Sequence, residues 1–152
     1  MAGTQKRAQP DADIDVLVVG AGQAGLATGA ELRRSGLAFR LFDRAARVGD
    51  SWRRRYDSLV LFSSRAYSSL PGRPMAGDPE GYASRDELAD YLEEYANVLA
   101  MPITRGDGIA QLTRRTDRFA AVSDRGTHVT ARAVIVATGA FQRSIVPPFA
   151  RD

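Results

Sequence analysis

"VLVVGAGQAGLATGAELRRSG", residues 16–36, decides the fold. Five glycines interrupt a run that otherwise reads as a buried strand followed by a helix. Glycine weakens strands and helices alike, so each needs a local reason to be there. The apolar run at residues 14–19 has the continuous character of a strand covered on both faces of a parallel sheet. A helix is expected over residues 23–35, with Leu26, Ala27, Ala30 and Leu32 as apolar positions and Gly36 just past its end. A second strand follows at residues 39–42 and is closed by Asp43. Strand, helix and strand in this order predict two parallel strands joined by a right-handed crossover.

Gly20, Gly22 and Gly25 form G-x-G-x-x-G where the strand turns into the helix. The first glycine allows the tight turn, the second lets a pyrophosphate approach the backbone, and the third lets the helix lie close to the strand. The helix N-terminus offers free amides and a partial positive charge to phosphates. Gly29 and Gly36 extend the pattern. Asp43 lies 23 residues after Gly20, where an acid can accept hydrogen bonds from adenosine ribose hydroxyls and repel a 2′-phosphate. The dinucleotide expected here is FAD or NAD rather than NADP.

Downstream, residues 44–81 show little periodicity but carry Trp52, Tyr56, Leu59, Leu61, Phe62, Tyr67 and Leu70. So many large apolar groups argue against a floppy linker, and a long irregular stretch inside a domain is usually functional. A helix resumes at "SRDELADYLEEYANVL", residues 84–99, with Ser84 as N-cap and Glu87 completing a capping box. Leu88, Tyr91, Leu92, Tyr95 and Leu99 share one face, so both tyrosines read as core. From Ile109 the period becomes two. Strands are expected at 111–115, 119–123 and 128–132, a β-meander, and "AVIVATG" at 133–139 reads as a further parallel strand ending in a small-residue turn.

The chain has 152 residues, enough for one domain with a core, and its 44% hydrophobic and 26% charged shares are those of a globular protein. The polar residues 1–13 read as a disordered tail without the apolar segment of a secretory signal, and residues 14–152 as the domain. There is no membrane-length apolar run. The absence of cysteine excludes disulfides, thiolate metal sites and a cysteine nucleophile in this chain, and no metal site is expected. A net charge of +3, spread over separate arginine clusters, describes a solvated surface and not a nucleic-acid face. The expected compartment is the cytoplasm.

Several stretches beyond the glycine turn are more distinctive. They are "VVGAGQAGL" at 18–26, "VGDSWRRRYDSLVLFS" at 48–63, "LPG" at 70–72, "YASRDELADYLEEYA" at 82–96, "VIVATGAFQ" at 134–142 and "VPPF" at 146–149. Together they resemble the N-terminal part of the class B flavin-dependent monooxygenases: flavin-containing and Baeyer–Villiger monooxygenases and related bacterial flavoprotein oxidoreductases. The resemblance implies an α/β fold of the two-dinucleotide flavoprotein type: a Rossmann-type parallel sheet plus a β-meander, incomplete at its C-terminal end. It implies FAD as cofactor. Gly20, Gly22, Gln23, Ala24 and Gly25 match residues around the FAD pyrophosphate, and Asp43, where the family more often has glutamate, matches the ribose ligand with Arg44 beside it. Gly49, Ser51 and Trp52 match a loop running toward the flavin ring, although Trp52 reads equally as core. Leu61 matches a position before the flavin, Ile109 one whose backbone meets the adenine, and Thr138 and Gly139 the turn that closes the FAD half.

The family also carries a second glycine turn for NADPH and an F-x-G-x-x-x-H fingerprint, and neither stands in this sequence. The expectation is therefore the FAD-binding portion of an NAD(P)H-dependent oxidoreductase that inserts oxygen into a small organic substrate, incomplete for turnover by itself. A non-catalytic FAD-binding module and the Rossmann domain of an NAD-dependent dehydrogenase remain the alternatives. No acid, base or nucleophile is assigned. Asp50 and Asp57 read as loop supports, and His128 as an ordinary strand histidine.

Overall fold

The computed structural model describes residues 12–140 and 145–150. The strand-helix-strand unit is present: β1 (Ala12–Val19), α1 (Gln23–Arg34) and β2 (Phe39–Asp43), with the two strands paired in parallel from Val16 opposite Phe39 to Val19 opposite Phe42. Ser35 caps the end of α1, and Gly36 follows it with φ +69°. β1 begins at Ala12, so Ala12 and Asp13 belong to the sheet and not to a tail. Asp13 accepts a hydrogen bond from Thr130 Oγ1 at 3.0 Å and pairs with Arg118.

Two short helices, α2 (Asp50–Arg53) and α3 (Arg65–Ser68), punctuate the irregular segment before α4 (Arg85–Val98). Then come β3 (Ile103–Arg105), β4 (Ile109–Arg114), β5 (Phe119–Ser123) and β6 (His128–Val136), and a 3-10 turn at Pro148–Ala150. The six described strands form one sheet in the order β3-β2-β1-β6-β5-β4. β3, β2, β1 and β6 are parallel, whereas β5 and β4 run antiparallel to their neighbours.

Two expectations are corrected. β3 had no counterpart in the sequence reading, because three residues after Pro102 are too short to show a period. The expected strands at 128–132 and 133–139 are one nine-residue strand. β6 pairs antiparallel with β5 up to Ala131 and parallel with β1 through Val136, so residues 132–136 have no β5 partner. The Phe141 and Gln142 of the "VIVATGAFQ" motif lie outside the described residues.

Apolar side chains fill both faces of the sheet. On one, Val16, Val18, Ala21 and Leu41 meet Leu32 of α1, and Leu26 joins Leu88, Tyr91, Leu92, Tyr95 and Met101. On the other pleat, Leu17 and Phe42 pack with Ala121, Val129 and Ala131. Full burial of side chains such as Leu88 and Leu92 contributes about 1.5–3 kcal/mol each. The capping box starts α4 as expected: Ser84 Oγ accepts from the Glu87 amide at 3.3 Å and Glu87 Oε2 accepts from the Ser84 amide at 2.8 Å.

The irregular segment is held by α4. Tyr91 Oη accepts from the Leu70 amide and donates to the Arg73 carbonyl, both at 2.6 Å, and Tyr95 Oη donates to the Pro71 carbonyl at 2.8 Å. Arg53 reaches Asp90 and Glu93 at 2.8 Å and the Val48 carbonyl at 2.7 Å. Arg65 pairs with Glu87, and Arg73 with Glu94. Trp52, Leu61 and Leu70 of this segment pack on the core, whereas Tyr56, Phe62 and Tyr67 are exposed.

Candidate functional site

The glycine turn lies between the C-terminal ends of β2 and β6. The Gly20 amide donates to the Phe42 carbonyl and the Ala137 amide to the Val19 carbonyl, both at 2.8 Å. Gly20 has φ +106°, and a β-carbon there would collide with the Ala137 carbonyl. A β-carbon on Gly25 would collide with the Gly20 carbonyl oxygen and lie 2.9 Å from its carbon. These two glycines are demanded by the fold itself. Gly22 is different: a β-carbon there would meet nothing within 4 Å. Gly22 opens α1, no side chain caps it, and its first turn holds no acid. The first amides of α1, at Gln23, Ala24 and Gly25, thus face an open space beside a positive helix end.

At the end of β2, the Asp43 carboxylate accepts from the Ala21 amide at 2.6 Å through Oδ2 and from the Ala45 amide at 2.7 Å through Oδ1. These bonds fix the carboxylate beside the turn. Each oxygen keeps a second lone pair for a ligand hydroxyl. Val19, Gly20, Phe42, Asp43, Arg44, Gly108, Ile109 and Thr138 line a cleft of about 240 Å³. Arg44 Nε donates to Asp124 Oδ2 at 3.1 Å.

The structure thus brings together Gly20, Asp43, Arg44, Ile109 and Thr138, with Gly22, Gln23, Ala24 and Gly25 on the adjoining helix start. Gly139 follows Thr138 with φ +76° and is exposed. Gly49, Ser51, Trp52 and Leu61 do not line this cleft. Gly49 has φ +87° and precedes α2, and a β-carbon there would lie 2.6 Å from the Ala89 carbonyl oxygen, so close packing on α4 accounts for it. Trp52 and Leu61 pack against the α1–α4 core, with the Arg55 guanidinium 5.8 Å from the Trp52 ring centroid. Asp50 accepts from the Arg47 amide at 3.2 Å and Asp57 pairs with Arg85 at 2.7 Å, as loop supports do.

Sequence reasoning missed Gly108 and Asp124. The G-D-G at 106–108 was a visible signal for a tight approach, but nothing local marks Asp124 as a partner of Arg44. A larger hollow of about 430 Å³, lined by Ala27, Leu32, Pro71 and Ile135 among others, offers no cation or free helix end for a phosphate.

A family model described as pyridine nucleotide-disulphide oxidoreductase matches residues 17–150. The chain belongs to this family. It is 47% identical over 139 residues to a CzcO-like oxidoreductase of Geobacillus kaustophilus, an alignment covering 91% of this chain and 40% of that protein. Among solved structures it resembles a flavin-containing monooxygenase from Stenotrophomonas maltophilia, at 38% identity and TM-score 0.83, over 89% of this chain and 41% of that one. An oxidized steroid monooxygenase bound to NADP matches at 30% identity and TM-score 0.79, over 89% of this chain and 28% of the other. The expected flavoprotein-monooxygenase fold and family membership are borne out, for a chain that spans about two fifths of the length of the first two relatives. Among the described residues no helix is long and apolar enough to cross a membrane.

Proposed function

We propose that this chain is the FAD-binding portion of an NAD(P)H-dependent flavoprotein monooxygenase that inserts oxygen into a small organic substrate. The observation that carries this reading is the pairing of an open, uncapped α1 start at Gly22 with an acid, Asp43, fixed by two backbone amides at the end of β2. The space a side chain on Gly22 would fill is where a diphosphate fits.

The residues present suit FAD. The amides of Gln23, Ala24 and Gly25 would take the diphosphate, and Asp43 the ribose hydroxyls. Gly108, Ile109 and Arg44 would border the adenine, and Thr138 the return toward the flavin. Bound FAD supplies the redox chemistry, accepting hydride and reacting with oxygen, for which no side chain of this chain is equipped. What this chain contributes is binding and orientation. No residue here is assigned as acid or base, and NADPH is assigned to no site on this chain.

The test is titration of the purified chain with FAD, followed by flavin absorbance and by quenching of Trp52, the single tryptophan. Saturable binding that weakens at least about tenfold in Asp43→Ala is expected, since a charged partner of the ribose is lost. Indifference to FAD at every concentration, with Asp43→Ala behaving like the parent, overturns the reading. Stabilisation by NAD alone would favour a dehydrogenase domain instead.

A further inference from the structure

We propose that Asp124 is a specificity-determining residue of the dinucleotide site: by holding the Arg44 guanidinium it denies that cation to a 2′-phosphate. This rests on the FAD reading above. Asp43 stands where the adenosine ribose is expected, and a carboxylate there disfavours a 2′-phosphate. The next residue, Arg44, lines the same cleft and carries the opposite charge. An unrestrained guanidinium beside the ribose is the group that accommodates a 2′-phosphate. Left alone, Arg44 would work against Asp43.

The fold does not leave it alone. Asp124 sits 80 positions away in the β5–β6 turn, and its Oδ2 accepts from Arg44 Nε at 3.1 Å. A second, independent feature makes room for this contact. A β-carbon on Gly108 would lie 2.8 Å from Asp124 Oδ2 and 2.9 Å from Arg44 Nε, so the pair closes over a residue that has no side chain. Asp124 is also placed from below. Its amide donates to the Gly108 carbonyl at 2.8 Å. The buried Asp107 holds the flanking residues, accepting from Ser123 Oγ at 2.7 Å and from the Arg125 amide at 2.9 Å. The cleft lining therefore presents the Asp43 carboxylate and an arginine whose Nε is already engaged by Asp124 from outside the lining. A protein that must also handle a 2′-phosphorylated dinucleotide gains from this, because that dinucleotide is kept out of the FAD cleft.

The experiment compares 5′-AMP with adenosine 2′,5′-bisphosphate, which differ only by the 2′-phosphate, as competitors of FAD on the purified chain. The wild type is expected to prefer 5′-AMP. Both Arg44 and Asp124 are solvent-exposed, so the effect is that of an exposed pair: Asp124→Asn should shift the ratio toward the bisphosphate by about three- to tenfold at low salt, and less as salt rises. Adding Arg44→Ala should remove the gain. Gly108→Ala, which displaces the pair without altering charge, should move the ratio the same way. Asp117→Asn removes the same charge from the opposite end of β5 and should leave the ratio unchanged. If wild type binds FAD but Asp124→Asn keeps the parental ratio, the role given to Asp124 is overturned and the FAD reading stands. If wild type does not bind FAD, both fall together.

Discussion

The carbonyl oxygen of Gly20 occupies the place where a side chain on residue 25 would begin. The first and third glycines of the turn are therefore locked against each other, and the second is not. Asp43 joins the same assembly from β2 by accepting the Ala21 amide. One motif thus holds two kinds of glycine, and mutation can separate them.

Gly25→Ala should destabilise the chain by about 3 kcal/mol or more, because backbone atoms would have to move apart. Gly22→Ala should cost no more than about 1 kcal/mol, the difference between glycine and alanine at a helix N-cap. It should nevertheless weaken FAD binding about tenfold or more, since the methyl group enters the space assigned to the diphosphate. Denaturant unfolding alongside FAD titration checks both. Equal loss of stability in the two variants would refute the distinction.

Tyr91 is the rivet of the irregular segment. Its hydroxyl satisfies the Leu70 amide and the Arg73 carbonyl, and burial pushes its pKa above the ordinary 10.0. Tyr91→Phe should cost about 1–3 kcal/mol by stranding those two backbone groups. Tyr95→Phe strands only the Pro71 carbonyl and should cost less. Chemical denaturation of the two variants ranks them.

The capping box predicts a pH dependence. The Glu87 carboxyl is held below its ordinary 4.5 chiefly by the Ser84 amide and next by the Arg65 guanidinium. A carboxylate with a lowered folded pKa contributes stability that is complete above the unfolded value and is lost as pH falls through the folded one. Glu87→Gln keeps the reach-back hydrogen bond but not the charge. At pH 7 it should be less stable than wild type by roughly 0.5 kcal/mol, small because the side chain is half exposed. The gap should close as pH drops below 4.5. A gap that stays constant down to acid pH would remove Glu87 from this role.

What was legible in the sequence was local. The glycine turn, α1, β2 and the Ser84–Glu87 box declare themselves within a few residues, because caps, turns and periodicity act over that range. The core face of α4, including Tyr91 and Tyr95, was legible for the same reason. What escaped was set by distant partners. The strand Ile103–Arg105 exists because β2 offers it an edge, and its three residues carry no period of their own. Residues 128–136 read as two strands because the β5 partner ends at Ala131 while β1 continues to Val136, which no sequence window records. The approach of Asp124 to Arg44 spans 80 positions and was invisible. The Ala89 carbonyl beside Gly49, a packing reason for glycine supplied by the distant helix α4, is likewise not visible locally.

The dual pairing of β6 also orders events during synthesis. Asp13 and its partner Thr130 are separated by 117 positions, so the first strand leaves the ribosome long before its second neighbour exists. Until Val136 has emerged, the centre of the sheet stays open on one side and the glycine turn lacks the Ala137 backbone against which it closes. Such distant closure slows folding. A nascent chain stalled before that point would be a better substrate for chaperones than for a nucleotide.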